Sequence, residues 1–425
     1  MKKEWVYFFV LIFVALGCDT ASNIDPPEDS FFVKFYGDEG NQEGVDAVIN
    51  PDGTITLFGT TEELNMGKQL YLVNILPNGL INWERKYGTS KNEIAKDIEL
   101  TRDGRLAIVA DIENTPTEHD ILVMTLGLDG AVIASDTIKF INGGTPTDET
   151  ANSITQISDG FIVAGSTNNL DLKPNGTGPV NDSRDALFVR LFDDLTIYPD
   201  LWKQGYGPGA FDEAIKVIEV SPNQFYLFAN TNTPVPFSDI NFHVLGLGAT
   251  GQGNSPNNFF PGEQTGSNEI LSSVAFSPIQ SGEGFLLAGI SQAPGASADV
   301  YVVKLRKDLN FNNSDIQFQK TLSINLGIVS QAKVSTVASS SSGFLILANE
   351  KLTGIQNFYL TKIDNSGFPV WSDPIIFGGE QDDRIGSVLE FPDGSIGIIG
   401  TFAIGVDGET KMTFIKVNKE GKFSK

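Results

Sequence analysis

The chain has 425 residues, 44 of them glycine and 30 phenylalanine, and a formal net charge of −24. This charge excludes nucleic acid as a partner, because phosphates are bound by lysine and arginine, and it disfavours electrostatic docking on anionic lipid. The only histidines are His119 and His243, so a zinc site or a histidine general base has few residues to draw on. An apolar fraction of 40% suffices for a folded core.

Residues 1–17 have the features of an export signal. Two lysines near the start precede the apolar residues 5–16, a run too short to cross a bilayer comfortably but typical of a signal-peptide core. Residues 14–18, VALGC, resemble a bacterial lipobox, in which the chain is cut before the cysteine and the cysteine is acylated. The alternative is a plain secretory signal with an incidental cysteine.

Cys18 is the only cysteine in the sequence, which rules out an intramolecular disulfide. We therefore predict that Cys18 carries the lipid and attaches the protein to a membrane. Residues 18–29 include an acidic, proline-containing stretch with little to bury, and we interpret them as a flexible tether.

From residue 30 onward the chain repeats one pattern seven times. Each copy has an apolar run that ends in a small residue, followed by a β-branched and aromatic run, a turn such as Pro77-Asn78-Gly79, and a last short strand. Four strands per copy are typical of a propeller blade, which buries both of its faces only between neighbouring blades. We predict an all-β fold, a seven-bladed β-propeller over residues 30–425. The seven small residues are Gly59, Ala110, Gly165, Ala229, Gly289, Ala348 and Gly400.

Residues 31–37 form an orphan strand at the start of this domain, and the last repeat has only a short stub after its third strand. The orphan strand matches a blade's fourth strand. We therefore expect it to complete the C-terminal blade, which closes the ring and removes an exposed sheet edge.

The repeats resemble those of β-propeller surface lipoproteins of the Bacteroidetes type, with their Gly-Gly starts and Gly-Phe-Ile-Val-Ala-Gly second strands. The best matches are Gly143-Gly144 with residues 160–165, and Gly378-Gly379 with Asp382-Asp383. The resemblance implies the propeller fold over residues 30–425. It does not imply an activity, because such proteins mostly lack an assigned one.

Six of the seven copies carry a carboxylate upstream of the small residue. In a propeller, the loops between blades and between second and third strands emerge on one face, here called the loop face, and the other turns form the turn face. We expect the six acids to surround the channel mouth on the loop face. One interpretation is that they form a site for a cation or a polyol. The interpretation we favour is that each accepts hydrogen bonds from backbone N–H groups of its own loop. These acids are Glu43, Glu93, Glu149, Glu213, Glu269 and Asp383.

The sequence has no Gly-x-Ser-x-Gly, paired-histidine or phosphate-loop motif, so we predict no catalytic residue, no resident metal and no cofactor. Calcium at Asp382-Asp383 or Asp193-Asp194 is a weaker alternative, because neither pair has the spaced ligands of a dedicated loop. The longest loop-face excursion runs from Asn168 to Arg184, and loops on rigid scaffolds usually carry recognition.

We therefore expect an exported lipoprotein of the bacterial cell envelope, on the outer membrane, whose loop face binds an envelope protein or glycan without catalysis. Two alternatives stay open. One is a glycan hydrolase or lyase that uses carboxylates at the channel mouth. The other is a propeller that binds carbohydrate with the help of calcium.

Overall fold

The computed structural model describes residues 31–63, 66–169, 172, 184–199, 203–206, 211–232, 239–251, 253–264, 266–278, 282–322, 334–350, 354–404 and 408–424. The predicted signal segment, Cys18 and the tether over residues 18–29 lie outside these ranges and stay predictions. Among the described residues, no helix is both long and apolar enough to cross a membrane.

The described chain folds into seven antiparallel sheets of four strands, together with a short hairpin and a single turn of 3-10 helix at Asn313–Asp315. Each sheet is one blade, and consecutive strands within it are hydrogen-bonded neighbours. The seven blades, in order, are β2–β5 (Gln42–Ile49, Ile55–Glu63, Gly67–Ile75, Ile81–Tyr87), β6–β9 (Asn92–Leu100, Leu106–Thr115, Glu118–Leu126, Val132–Ile138), β12–β15 (Glu149–Ile157, Gly160–Thr167, Asp185–Phe192, Lys203–Tyr206), β16–β19 (Asp212–Ser221, Gln224–Asn232, Ile240–Leu247, Gly253–Phe259), β20–β23 (Asn268–Ser277, Gly284–Gln292, Asp299–Arg306, Ile316–Leu322), β24–β27 (Val334–Ala338, Phe344–Glu350, Asn357–Ile363, Ile375–Phe377) and β28–β30 (Arg384–Glu390, Ile396–Ile404, Glu409–Val417) with β1 (Phe32–Tyr36); the hairpin is β10–β11 (Ile141–Asn142, Thr145–Pro146).

In six of the seven blades, the small residue lies where the second strand passes a bulge in the first; in the sixth, Ala348 pairs with Val334 without a register shift. In the third blade, the pairing of β12 with β13 shifts register between Ala151 and Ser153. The backbone of β12 comes so close there that a Cβ added at Gly165 would lie 1.9 Å from the carbonyl oxygen of Thr150. Only a small side chain fits this position, and this explains the signal that revealed the repeats.

The first strand of every blade lies at the centre, where it contacts the first strands of the blades on either side. The apolar core consists of seven clusters, one at each interface between neighbouring blades. In one cluster, for example, Val109 and Val123 of the second blade pack with Ile154 and Val163 of the third. Because each blade buries both faces in this way, the chain is a seven-bladed β-propeller, as predicted.

Ring closure also follows the prediction. β1 pairs antiparallel with β30 from Phe32 opposite Lys416 to Tyr36 opposite Met412, so the seventh blade takes its outermost strand from the start of the domain. Tyr36 is buried and donates a hydrogen bond to the carbonyl oxygen of Gly79 in the first blade, at 3.0 Å. The closing strand therefore joins the two ends of the described chain and also contacts the first blade.

Candidate functional site: the loop face and the central channel

Four of the six predicted carboxylates occupy one equivalent position. Each lies near the beginning of its blade's first strand. Two residues further along that strand stands the partner of the small residue in the second strand. All four side chains are buried. They are Glu93, Glu149, Glu269 and Asp383.

These buried carboxylates are hydrogen-bonded to nearby loops and strands. Glu93 accepts bonds from the backbone N–H and the hydroxyl of Thr89, at 2.9 and 2.6 Å. Asp383 accepts the backbone N–H groups of Gly379 and Ala403, both at 3.0 Å. Each acid thus fixes the loop that leads into its own blade, because a buried carboxylate needs such donors.

Burial alters the protonation of several of these acids. It raises the pKa of Glu269 to about 7, although the backbone N–H of Gln264 and the hydroxyl of Ser291 oppose the shift. It raises the pKa of Asp383 to about 6 and shifts the pKa of Glu149 in the same direction. Loss of water disfavours the charged form, and the hydrogen bonds only partly compensate for it.

Glu43 and Glu213 do not occupy this position, which belongs to their neighbours Gln42 and Asp212. Successive residues of a strand point to opposite sides, so a shift of one residue changes the environment completely. Glu43 is partly exposed and pairs with Arg384 at 2.9 Å. Glu213 accepts a bond from the side chain of Asn152 in the third blade, at 2.8 Å.

The acidic pairs considered for calcium have other partners. Asp193 pairs with Arg105 at 2.6 Å, and Asp194 accepts two bonds from Thr196 within its own turn. Asp382 accepts the backbone N–H of Gln356 at 2.7 Å. In the part of the chain that the structure describes, no group of three or more histidine, cysteine or acidic side chains is placed to hold a metal ion.

Arg184 fixes the end of the longest loop-face excursion. Its guanidinium donates to the carboxylate of Asp148 at 2.8 Å, to the hydroxyl of Thr150 at 2.7 Å and to the hydroxyl of Ser166 at 2.8 Å. The same carboxylate lies 2.8 Å from Nδ1 of His119. A network of this kind holds the base of the loop rigidly on the third blade.

The central channel contains a second set of polar residues that sequence reasoning missed. In each first strand a polar side chain lines a cavity of about 480 Å³. In six blades it stands at or just after the bulge, and in the sixth it is Ser335, on a strand that pairs without a register shift. We call these seven residues the channel ring. They are Asp46, Asp97, Ser153, Lys216, Ser273, Ser335 and Ser387.

Several channel-ring residues form hydrogen bonds between blades. The carboxylate of Asp97 accepts the N–H of Ile154 at 2.9 Å, and the hydroxyl of Ser153 donates to the carbonyl of Ile215 at 2.8 Å. Ser273 accepts the N–H of Thr336 at 3.3 Å. These bonds connect the second blade to the third, the third to the fourth, and the fifth to the sixth.

The charges of the channel are concentrated on one side. Asp46 and Asp97, on the first strands of neighbouring blades, both line the cavity. Burial, together with the neighbouring Asp46, raises the pKa of Asp97 well above its usual range, although Lys216 acts in the opposite direction. The carboxylates of Asp97, Glu99 and Asp46 raise the pKa of Lys216 despite its burial, and keep it charged.

Both histidines have structural surroundings. His243 is buried in β18, stacks on Phe260 and is hydrogen-bonded to Asn258. Burial lowers its pKa to about 4, so it is neutral at physiological pH. His119, at the start of β8, belongs to the Arg184 network described above.

No protein-family model matches the chain, and no curated protein matches its sequence. Its fold is similar to that of extracellular domains 1–2 of Drosophila Semaphorin 1a, with a TM-score of 0.53 and 10% identity over 92% of this chain and 88% of that one. A protein of unknown function from Dyadobacter fermentans has a TM-score of 0.47 and 8% identity over 91% of this chain and 98% of that one. An alpha-L-arabinanase from Penicillium chrysogenum, complexed with arabinobiose, has a TM-score of 0.49 and 10% identity over 76% and 93%. What this chain shares with the semaphorin domains is the propeller architecture alone.

Proposed function

We propose that the protein is an exported, lipid-anchored propeller of the bacterial cell envelope that binds an envelope protein or glycan on its loop face without catalysis. The observation that carries this proposal is the state of the loop-face acids. Asp383 accepts two backbone N–H groups, Glu93 is bonded to Thr89, and both side chains are buried. These acids maintain the scaffold and are not presented to a ligand.

This arrangement favours binding over glycan cleavage at the channel mouth. A glycoside hydrolase needs two carboxyl groups about 5 to 10 Å apart across an open cleft, one of them free to donate a proton. Here Glu93, Glu149, Glu269 and Asp383 are distributed over different blades, and each is bonded within its own blade or the loop that leads into it.

The Arg184 network supports recognition by the excursion between Asn168 and Arg184. Asp148, Thr150 and Ser166 hold Arg184 from three sides, so one end of this loop leaves a fixed point on the third blade. Recognition loops on rigid scaffolds are commonly supported in this way, because a fixed base reduces the entropy lost on binding.

The binding proposal is tested with the chain lacking residues 1–30, which keeps every strand of the seven sheets. The protein is screened against solubilised envelope proteins and glycans by pull-down and thermal shift. In one variant, residues 170–183 are replaced by a short glycine-serine linker. In the control, Glu93→Gln alters a buried loop acid. We expect the linker variant to lose binding and the control to keep it; a linker variant that binds normally would overturn the loop assignment.

The lipid anchor is tested in the full chain. We expect Cys18→Ser to abolish incorporation of labelled fatty acid and to move the protein from the membrane fraction to the soluble fraction, because no other cysteine can take its place. Ser387→Ala serves as the control that should remain lipidated. A Cys18→Ser protein that still fractionates with membranes and carries label would contradict the anchor.

A further inference from the structure

The direction of β1 shows on which face the N-terminal segment leaves the propeller. β30 is the third strand of the seventh blade, so it runs from the loop face to the turn face and ends there at Val417. β1 is antiparallel to β30, with Phe32 opposite Lys416 near that end. Residue 31 therefore lies at the turn face, on the outer edge of the ring, and the predicted tether joins the propeller there.

The length of chain between Cys18 and the propeller limits how the protein can lie on a membrane. The segment from Cys18 to residue 30 has 13 residues, and a flexible tether of this length has an r.m.s. end-to-end distance of about 20 Å. The nine-residue first strand β6 is about 30 Å long. A membrane against the loop face would require the tether to stretch past this whole thickness, whereas a membrane against the turn face requires no stretching.

The turn face also carries most of the exposed large apolar side chains. Among the described residues, nine of the fifteen such side chains lie in or beside its turns, whereas Met66 and Ile141 lie at the loop face. Exposed apolar residues are common singly, but their concentration on one face indicates a contact surface. The nine are Leu76, Leu80, Ile81, Val132, Ile133, Phe192, Phe276, Phe368 and Val370.

Two pairs of these residues flank the seventh blade, from which the tether leaves. Leu80 and Ile81, on the first blade, are 54% and 50% exposed, and the turn that precedes them is hydrogen-bonded to β1. Phe368 and Val370, on the sixth blade, are 60% and 52% exposed. All four side chains are therefore available for contact, on the two blades next to the base of the tether.

A cavity of about 670 Å³ adds apolar surface at the centre of the turn face. Its acidic residue, Glu390, accepts a hydrogen bond from the hydroxyl of Ser339 at 2.7 Å and pairs with Lys362 at 3.5 Å, so its charge is compensated. The apolar part of the wall lies where the first strands of the first and seventh blades end. It consists of Ile49, Pro51, Phe391 and Pro392.

We propose that the turn face of the anchored protein lies against the lipid bilayer, with Leu80, Ile81, Phe368 and Val370 at the membrane interface and the loop face directed away from it. This inference rests on the lipid anchor of the proposed function. The acylated cysteine holds the protein at the surface, and the apolar side chains add contacts with the boundary between headgroups and acyl chains. Such contacts need no anionic lipid, which the net charge of −24 disfavours.

The proposal is tested with the full chain, purified with its lipid and reconstituted into phosphatidylcholine vesicles that carry a nitroxide on some headgroups. Acylation blocks the thiol of Cys18, so an introduced cysteine is the only thiol that a fluorophore can label. The label is attached at Ser366→Cys, on the turn face, or at Thr117→Cys, on the loop face, both exposed. We expect the nitroxide to quench the label at residue 366 roughly twofold more strongly, or better, than the label at residue 117.

Flotation of the vesicles separates failure of the anchor from failure of the orientation. The full chain should float with the vesicles, and Cys18→Ser should not. A full chain that does not float would overturn the lipid anchor and this proposal with it. A chain that floats but is quenched equally at both labels, or more strongly at residue 117, would overturn the orientation alone.

A double variant tests the apolar contact itself. Leu80→Ser with Ile81→Ser removes two exposed side chains from the turn face, so we expect the quenching of the label at residue 366 to fall roughly twofold. The matched control is Met66→Ser with Ile141→Ser, which removes two exposed apolar side chains from the loop face and should leave the quenching unchanged. Equal quenching in the Leu80 and Ile81 variant and in the original protein would overturn the proposed contact.

Discussion

The carboxylate of Asp97, in the second blade, accepts the backbone N–H of Ile154, in the third blade, at 2.9 Å. The two residues lie on neighbouring first strands, so this bond fixes one blade against the next at the centre of the ring. Burial, together with the neighbouring Asp46, raises the pKa of Asp97 well above its usual range, although Lys216 acts in the opposite direction.

We expect Asp97→Asn to be tolerated and Asp97→Ala to be destabilising. Asparagine keeps an oxygen for the N–H of Ile154 and offers an N–H to Asp46, so its free energy of unfolding at pH 7 should stay within about 1 kcal/mol of the original. Alanine leaves the N–H of Ile154 without an acceptor, at a cost of about 1 to 3 kcal/mol. Urea denaturation of both variants measures the difference, and equal losses would contradict the role of the Asp97 side-chain oxygen as the acceptor for the N–H of Ile154.

The pH dependence of the Asp97→Asn variant provides a second readout. Because folding raises the pKa of Asp97, its contribution to stability is fully present at low pH and is lost as the pH rises through the folded-state value. Asparagine does not titrate. The Asp97→Asn variant should therefore become more stable relative to the original protein as the pH increases.

Glu269→Gln should stabilise the protein at pH 8. Burial raises the pKa of Glu269 from 4.5 to about 7, so its contribution to stability is complete below pH 4.5 and is lost as the pH rises through 7. Glutamine can accept the N–H of Gln264 and donate to the hydroxyl of Ser291. We expect a gain of up to about 3 kcal/mol at pH 8.

Thermal melts of the Glu269→Gln variant and the original protein from pH 4 to pH 8 measure this gain. The partly exposed Glu43→Gln is the control, and a gain that does not vary with pH would contradict this explanation.

Lys304→Met should remove a rise in stability at alkaline pH. Lys304 is buried and donates to the carbonyl oxygen of Gly282 at 2.7 Å, and burial lowers its pKa from 10.5 to about 8. Between these two values the unfolded chain binds the proton and the folded chain does not, so stability increases with pH. The contribution is about 3 kcal/mol. Denaturant melts at pH 7.5 and pH 10 should show it in the original protein and in Lys419→Met, but not in Lys304→Met.

Removal of residues 1–37 should destabilise the whole ring. This deletion takes away β1, exposes the edge of β30 and empties the place of the buried Tyr36. The loss of one large buried side chain alone costs about 3 kcal/mol or more. We expect a single, much lower melting temperature, and aggregation through the free strand edge. Removal of residues 1–30 is the control, since it keeps β1. A shorter chain that melts like the control would contradict the closure.

The repeats made the propeller predictable. Positions such as Gly59 and Gly165 must be small because a bulged neighbouring strand passes close to them, so the fold imposes a pattern that a single sequence displays. Residues 31–37 were recognisable as the missing fourth strand for a related reason, since one blade alone lacked it. Both signals come from steric and pairing requirements that every blade shares.

The loop-face acids were predictable to within one residue. Glu43 and Glu213 are adjacent to the equivalent positions, where Gln42 and Asp212 stand. A pattern of residue spacings still matches when the acid is displaced by one residue. In a strand the same displacement turns the side chain to the opposite face, because neighbouring side chains point in opposite directions.

The channel ring was missed although a signal for it exists. A polar residue stands two places after the small or apolar residue in six repeats, as in Gly44 to Asp46, Ala95 to Asp97 and Ala214 to Lys216. In a regular strand, residues two apart share a face, so the polar residue should have been buried with its neighbour. The bulge that turns it into the channel is visible only in the paired strands.

The pairing of β1 with β30 also determines the order in which the protein assembles. The six other sheets consist of consecutive strands, so each can begin to form as soon as its own segment is free. The seventh requires two segments from opposite ends of the described chain, and the entropy lost in bringing them together makes this the slowest contact to form. Six blades can thus stand as an open arc before the ring locks.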